Sequence, residues 1–358
     1  GGGISNGGAL RNVSGTNTYG GLITATATPR LYVDTGTTLI LDRVGAGGSL
    51  TTDSSITLEV AGTGVLQMVD AFNTTGSANP TVAKNGNGTL LFESANTWAG
   101  NGSFTLNDGV VRISNGGALG GTSGGTVITD NAALELVGGI TTNENITTSG
   151  TATGISLGGA IRNISGNNTI SGSVTIDEGN ARIHSDSDLL TISGEFRGDP
   201  TSGSTARTPT LGGAGNITLS GVVRNGTGTT PGVLNLIKDG TGTLTLSNAG
   251  NTYTGTTAVN NGTLVLSGNI NNASTLTMAA GTTFNQTNTG VLAGSVALLL
   301  NNATSTLSGT NTTTGATTLT GGTLNLNYDT GTGGTNTTKL ANAAVLTLSG
   351  GTVNLQGG

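Results

Sequence analysis

The stretch KDGTGTLTLSNAGNTYTGTTAVNNGTLVLSG, Lys238 to Gly268, holds two copies of one idiom. TLTL begins at Thr243 and TLVL at Thr263, twenty residues later. Each alternates Leu with Thr or Val, the period of a half-buried strand. Between them lie almost only Gly, Asn, Thr and Ser, residues that bend a chain through turns. A chain that keeps returning to one short strand, with so little chemistry between the returns, is built by repetition.

Working outward, the same strand recurs. TLLF at 89–92, FTLN at 104–107 and VVRI at 110–113 form one group, and TLTL, TLVL and TLTM at 275–278 another. TLNL at 323–326, VLTL at 345–348 and TVNL at 352–355 close the chain. No window has helical periodicity, and glycines at this density cost about 1 kcal/mol each in a helix interior. The chain is all-β.

A longer repeat lies over the short one. GGALRNVSGTNT at 7–18 returns as GGAIRNISGNNT at 158–169, an offset of 151. KNGNGTLLFESANTWAG at 84–100 returns as KDGTGTLTLSNAGNTYTG at 238–255, an offset of 154 that places Trp98 opposite Tyr253 after a one-residue insertion. Two landmarks in the same order at nearly the same distance imply tandem units of residues 7–157 and 158–309, with a partial unit at 310–358. Residues 198–209 (GDPTSGSTARTP), with two of the five prolines, read as a loop insertion in the second unit.

Composition narrows the architecture. There are 65 Gly and only 8% charged residues, against typical values of about 7% Gly and about 25% charged. Yet 33% of residues are hydrophobic, clustered regularly enough to give order instead of disorder. Sandwich strands alternate too, but do not repeat one idiom at near-constant spacing for hundreds of residues. A coil needs one inward face per strand and a tight corner between strands; Leu, Val and Ile supply the first, Gly and Asn the second. The sequence therefore predicts one β-solenoid over 1–358, with Thr stacked on Thr and Asn on Asn. At 20–22 residues per coil it makes about sixteen rungs, a rod of roughly 75–80 Å at about 4.8 Å per rung.

With net charge −6, a pI near 4.6 and scattered cations, the sequence lacks the basic stripe of a nucleic-acid binder. No apolar run approaches a membrane-spanning helix, and no cysteine is present for a disulfide. The chain opens in GGGISNGG with neither an initiator Met nor a signal peptide, which reads as a processed product or a piece of something longer.

Residues 238–268 resemble the autotransporter-associated β-strand repeat, whose usual form is a G-x-G-T-L-x-L strand, an N-T-Y-x-G turn and an N-x-G-T-L strand. GNGTLLFESANTWAGNGSFTLNDGVVRIS, from Gly86, is a looser copy with Trp98 in place of Tyr, and GGALRN and GGAIRN resemble segments found between such repeats. The resemblance implies a right-handed parallel β-helix from a bacterial surface or exported protein, secreted to the cell exterior. The strand series of a C-terminal outer-membrane barrel does not occur in this sequence.

Chemistry is sparse. The one histidine, His184, lies in DEGNARIHSDSD with Asp177, Glu178, Asp186 and Asp188. The cluster could serve as a metal or acid–base site; the plainer reading is a strand, ARIH, and a solvated polar turn. RLYVD at 30–34, the matching place in the first unit, has no such cluster. Glu135, Glu144 and Glu195 stand singly, and only the fold can say which carboxylates meet across rungs as a glycosidase pair would. GGTSGGTVITD at 120–130 has the glycines of a calcium-binding nonapeptide without its acids, and the G-x-G-T strings precede strands, unlike a phosphate loop. Trp98 and Tyr253 read as turn-capping aromatics packed on neighbouring Gly, or alternatively as stacking platforms for a carbohydrate or partner. Sequons at Asn73, Asn101, Asn145, Asn163 and Asn216 arise readily from an Asn- and Thr-rich composition.

These observations point away from an enzyme, with no cofactor implied. The expected role is an extracellular structural solenoid, a stalk or fibre; the alternative is a passenger adhesin binding a surface glycan or protein. The chain closes in TVNLQGG, mid-idiom and uncapped, so its rungs are expected to continue, in a longer polypeptide or by end-to-end stacking of copies into a filament.

Overall fold

The computed structural model describes residues 8–26, 28–45, 47–76, 79–149, 158–177, 179–198, 205–227, 231–271, 275–328, 338–341 and 343–357. Every element among them is a β-strand, and every strand pairing given below is parallel. The chain divides into two compact units, Gly1–Val174 and Thr175–Gly358.

The second unit shows the coil most plainly. Thr243–Leu246 pairs in register with Thr263–Leu266, which pairs with Thr283–Gln286, and then with Ala303–Leu307, Gly322–Asn327 and Thr352–Gln356. Alternate residues face inward: in Thr243–Leu246 the two leucines are buried and the threonines half-exposed. Outside, Thr243, Thr263, Thr283, Thr304, Thr323 and Thr352 form one column. The stacking of like on like read from the sequence is thus realised, and Asn354 donates to Asn325 Oδ1 at 2.9 Å along a neighbouring column. Inside, each leucine removed from water contributes about 1.5–3 kcal/mol. A second stack runs from Arg182–Ser185 through Thr210–Gly213, Leu236–Lys238, Thr257–Val259, Thr275–Met278, Ala297–Leu300 and Thr317–Leu319 to Leu346–Leu348.

The first unit stacks in the same way. Leu10–Asn12, Arg30–Val33, Ile56–Val60 and Thr81–Asn85 form one column; Thr16–Tyr19, Thr38–Leu41, Val65–Met68 and Thr89–Phe92 form the next. The strands Ser103–Ile113 and Thr126–Val137 are long enough to serve both columns, with a register shift between Leu106 and Asp108 where the coil turns its corner.

Coil length varies more than the expected 20–22 residues. Thr243, Thr263 and Thr283 follow at twenties, but Leu189 stacks on Asn216 and Ile217 on Leu244, twenty-seven apart. The ladder fixes only the strands, so extra residues are accommodated in the connections. Much of the expected insertion at 198–209 lies outside the described residues, but its end rejoins the ladder: Arg207 forms a bridge with Leu234. The Arg207 side chain is buried and donates from Nε to the Asp177 carbonyl.

Candidate functional site

The polar groups worth scrutiny are those turned into the stack, because a buried polar group persists only where it is bonded. Lys84 occupies an inward position between Leu58 and Leu106, and Lys238 one between Leu211 and Val259. Both side chains are buried. Their stems fill an aliphatic column while their ammonium groups reach the corner. Lys84 Nζ donates to the carbonyls of Asn85, Gly86 and Asp108 at 3.0, 2.6 and 3.0 Å. Lys238 Nζ donates to Asp239, Gly240 and Asn261 at 2.6, 2.7 and 3.1 Å. Each lysine spends its three donors on its own corner and that of the next coil. Burial pushes both ammonium groups down to about 8, which leaves them charged at neutral pH. Gly109 and Gly262 complete the corners with φ of +78° and +72°; a Cβ at either would come within 3 Å of the lysine nitrogen and of backbone carbonyls.

A side-chain amide supplies a second clamp. Asn96 Oδ1 accepts from Phe72 N–H at 2.8 Å in the preceding coil, and its Nδ2 donates to the Ala118 carbonyl in the following one. Asn251 does the same between Val223 and Asn269, at 2.9 Å both ways. Asn311 spans Leu292 and Lys339, at 2.8 Å both ways. Each carboxamide continues the backbone ladder where the strand has ended, so one side chain joins three coils.

Two residues further on sit the aromatics. Trp98 is 6% exposed and Tyr253 fully buried. Trp98 meets Phe72 edge-on at 4.9 Å, stacks on Phe104 at 6.5 Å and donates from Nε1 to the Leu119 carbonyl. Its ring lies over Gly120, where any Cβ would collide with it. The Tyr253 hydroxyl bonds Thr257 Oγ1 at 2.8 Å, and burial raises its pKa. With both rings inside the coil, neither offers a face on which a sugar could stack. In the third copy Thr313 takes this place and donates to the Val296 carbonyl at 2.6 Å.

The acidic cluster is arranged as a surface network. Arg182 forms an ion pair with Asp239 at 2.7 Å, and its Nη2 lies 3.1 Å from His184 Nδ1. A guanidinium only donates, so Nδ1 accepts and Nε2 carries the proton, facing Asp186 Oδ1 at 3.3 Å. With both ring nitrogens engaged, His184 presents no vacant base. Asp188 turns the corner at φ +58°, Asp177 accepts Arg207 through its carbonyl, and Glu178 lies outside the described residues. No group of three or more His, Asp or Glu among the described residues could hold a metal ion.

The single glutamates do not pair as acid and base either. Glu135 is buried between Arg112 and Arg162. Glu195 is bracketed by Arg197 and Arg224, whose hydrogen-bonded guanidinium holds its carboxyl below the usual range. Glu144 is different. It is 2% exposed, Oε1 accepts from Thr126 Oγ1 at 3.1 Å, and Oε2 has no partner; burial pushes its carboxyl up to about 7. Among the sequons, Asn163 is buried and bonded to Asn168. The lysine clamps, and the buried Gln286 whose amide bonds Gly290, Gly309 and Asn311, are not catalytic motifs. Their signal is a polar residue at an inward position of an alternating strand.

This interior defines a parallel β-solenoid whose buried polar groups tie coil to coil. Residues 82–113, 236–266 and 302–326 match the family model of the passenger-associated-transport-repeat. The first two segments each contain a lysine clamp, an asparagine clamp and an aromatic, and the third contains Asn311 and Thr313. The chain is thus a parallel β-solenoid in which three segments match this repeat. Comparisons with curated proteins and with solved structures gave no match.

Proposed function

We propose that this chain is a structural spacer in a secreted, surface-exposed bacterial passenger, without catalysis of its own. The observation that carries the reading is the commitment of the buried polar groups to stacking: Lys84, Lys238, Asn96, Asn251 and Asn311 each bond successive coils. Such interior chemistry serves shape. Images of the purified chain should show rods that bind no glycan saturably and act on no glycoside; globular particles would overturn the spacer role.

One groove favours an adhesin as the second reading. It has a volume of about 230 Å³ and is lined by Leu91, Phe92, Glu93, Arg112, Ser114 and Val137. Saturable glycan binding that is lost on Glu93→Ala would replace the spacer with that reading. Leu355 is 74% exposed while its register partner Leu326 is 5% exposed. A second copy of this chain stacked end to end on that strand would bury it, and we propose such assembly. Light scattering that stays monomeric as concentration rises would reject end-to-end assembly of copies.

A further inference from the structure

The lysine clamp places a charge on a peptide unit with its own latent reactivity. Asn–Gly pairs lose ammonia when the glycine nitrogen attacks the asparagine side chain, a step eased by the missing Cβ of Gly. Six such pairs lie among the described residues, at Asn85, Asn87, Asn101, Asn115, Asn225 and Asn261. In three of them the attacking N–H is committed elsewhere: Gly88 donates to Val60, Gly102 to Ala99 and Gly226 to Gly232. In two more the side chain is held away, Asn85 Oδ1 by Asn107 Nδ2 and Asn115 Oδ1 by the Gly117 amide. At Asn261 alone among these does the side-chain oxygen sit on its own successor nitrogen, 2.8 Å from Gly262 N.

We propose that Asn261 is a site of spontaneous deamidation, promoted in the folded chain by the Lys238 ammonium. Lys238 Nζ bonds the Asn261 carbonyl oxygen, which belongs to the same peptide unit as the Gly262 nitrogen. A cation there stabilises the negative charge that spreads onto this oxygen when the nitrogen gives its proton to water. The nitrogen then adds to Cγ, a C–N bond forms, and Nδ2 leaves with a proton as ammonia. Water opens the resulting succinimide, so the net change is asparagine plus water to carboxylate plus ammonium, without redox. Opening at the side-chain carbonyl gives aspartate and leaves the backbone as it was. Opening at the main-chain carbonyl lengthens the chain between Asn260 and Thr263, whose amides are bonded to Lys238 and Gly242. Aspartate is therefore the product that keeps the stack. It reproduces the other lysine corner, where Lys84 faces Asp108–Gly109 and the Asp108 carboxylate favours the charged ammonium.

The folded chain, held at neutral pH and body temperature and followed by peptide mass mapping, should convert Asn261 several-fold faster than Asn87, Asn101 and Asn225. In concentrated urea, which removes the corner, the four rates should converge. Lys238→Met should slow Asn261 selectively. Because that substitution also weakens the corner, the wild-type ranking carries the test. Conversion of Asn261 no faster than the three controls, or a lead that persists in urea, overturns the proposal.

Discussion

Glu144 is a residue whose chemistry the stack opposes. Its carboxyl has one hydrogen bond and one buried, unpartnered oxygen, so the neutral acid suits the site better than the anion. Its pKa, raised from 4.5 to about 7, means that the folded chain binds a proton the unfolded chain releases between those values. The stabilising contribution is complete below pH 4.5 and is lost as pH rises through about 7. A shift of this size corresponds to roughly 3 kcal/mol. Thermal unfolding of the wild type should therefore move to lower temperature across that window, while Glu144→Gln, neutral throughout, should flatten the dependence. A wild-type profile that keeps its slope in the variant would assign the effect to other groups. The sequence showed Glu144 only as a lone acid. Its burial became visible only once Ile146 was in register with Thr126.

At the scale of the element, strands were legible and clamps were not. TLTL and TLVL reveal their inward leucines by alternation alone, and the segments at 84–100 and 238–255, offset by 154, read as two copies of one repeat. That Lys84 and Lys238 point inward was equally written in the alternation, but a lysine is ordinarily assigned to solvent. Gln286 repeats the lesson. It sits in a column with Leu266 and Leu307, and its amide is satisfied by Asn311, Gly290 and Gly309. Asn251 tests the clamp directly. Asn251→Ala leaves the Val223 amide and the Asn269 carbonyl without their partner, and an unmade buried hydrogen bond costs about 1–3 kcal/mol. The exposed Thr254→Ala, three residues away, should stay within about 0.5 kcal/mol. Denaturant midpoints of the two variants supply the comparison; equal midpoints would show that Asn251 is a bystander.

At the scale of the whole molecule, each unit is a series of neighbours. A coil meets the one before and the one after, so stability is close to a sum of coil terms and nearest-neighbour terms, and damage should stay near its origin. Lys84→Met makes the sharpest case in the first unit, because it keeps the aliphatic stem between Leu58 and Leu106 and removes only the ammonium that bonds Asn85, Gly86 and Asp108. Amide hydrogen exchange should accelerate in Thr81–Asn85 and in Ser103–Ile113, the strands this clamp joins. Arg30–Val33 meets Thr81–Asn85 only through Ile56–Val60 and should keep its protection. A cooperative globule would instead lose protection everywhere by the same amount. Local loss therefore supports stacking as the organising interaction, and uniform loss would mean that some longer-range packing governs the first unit.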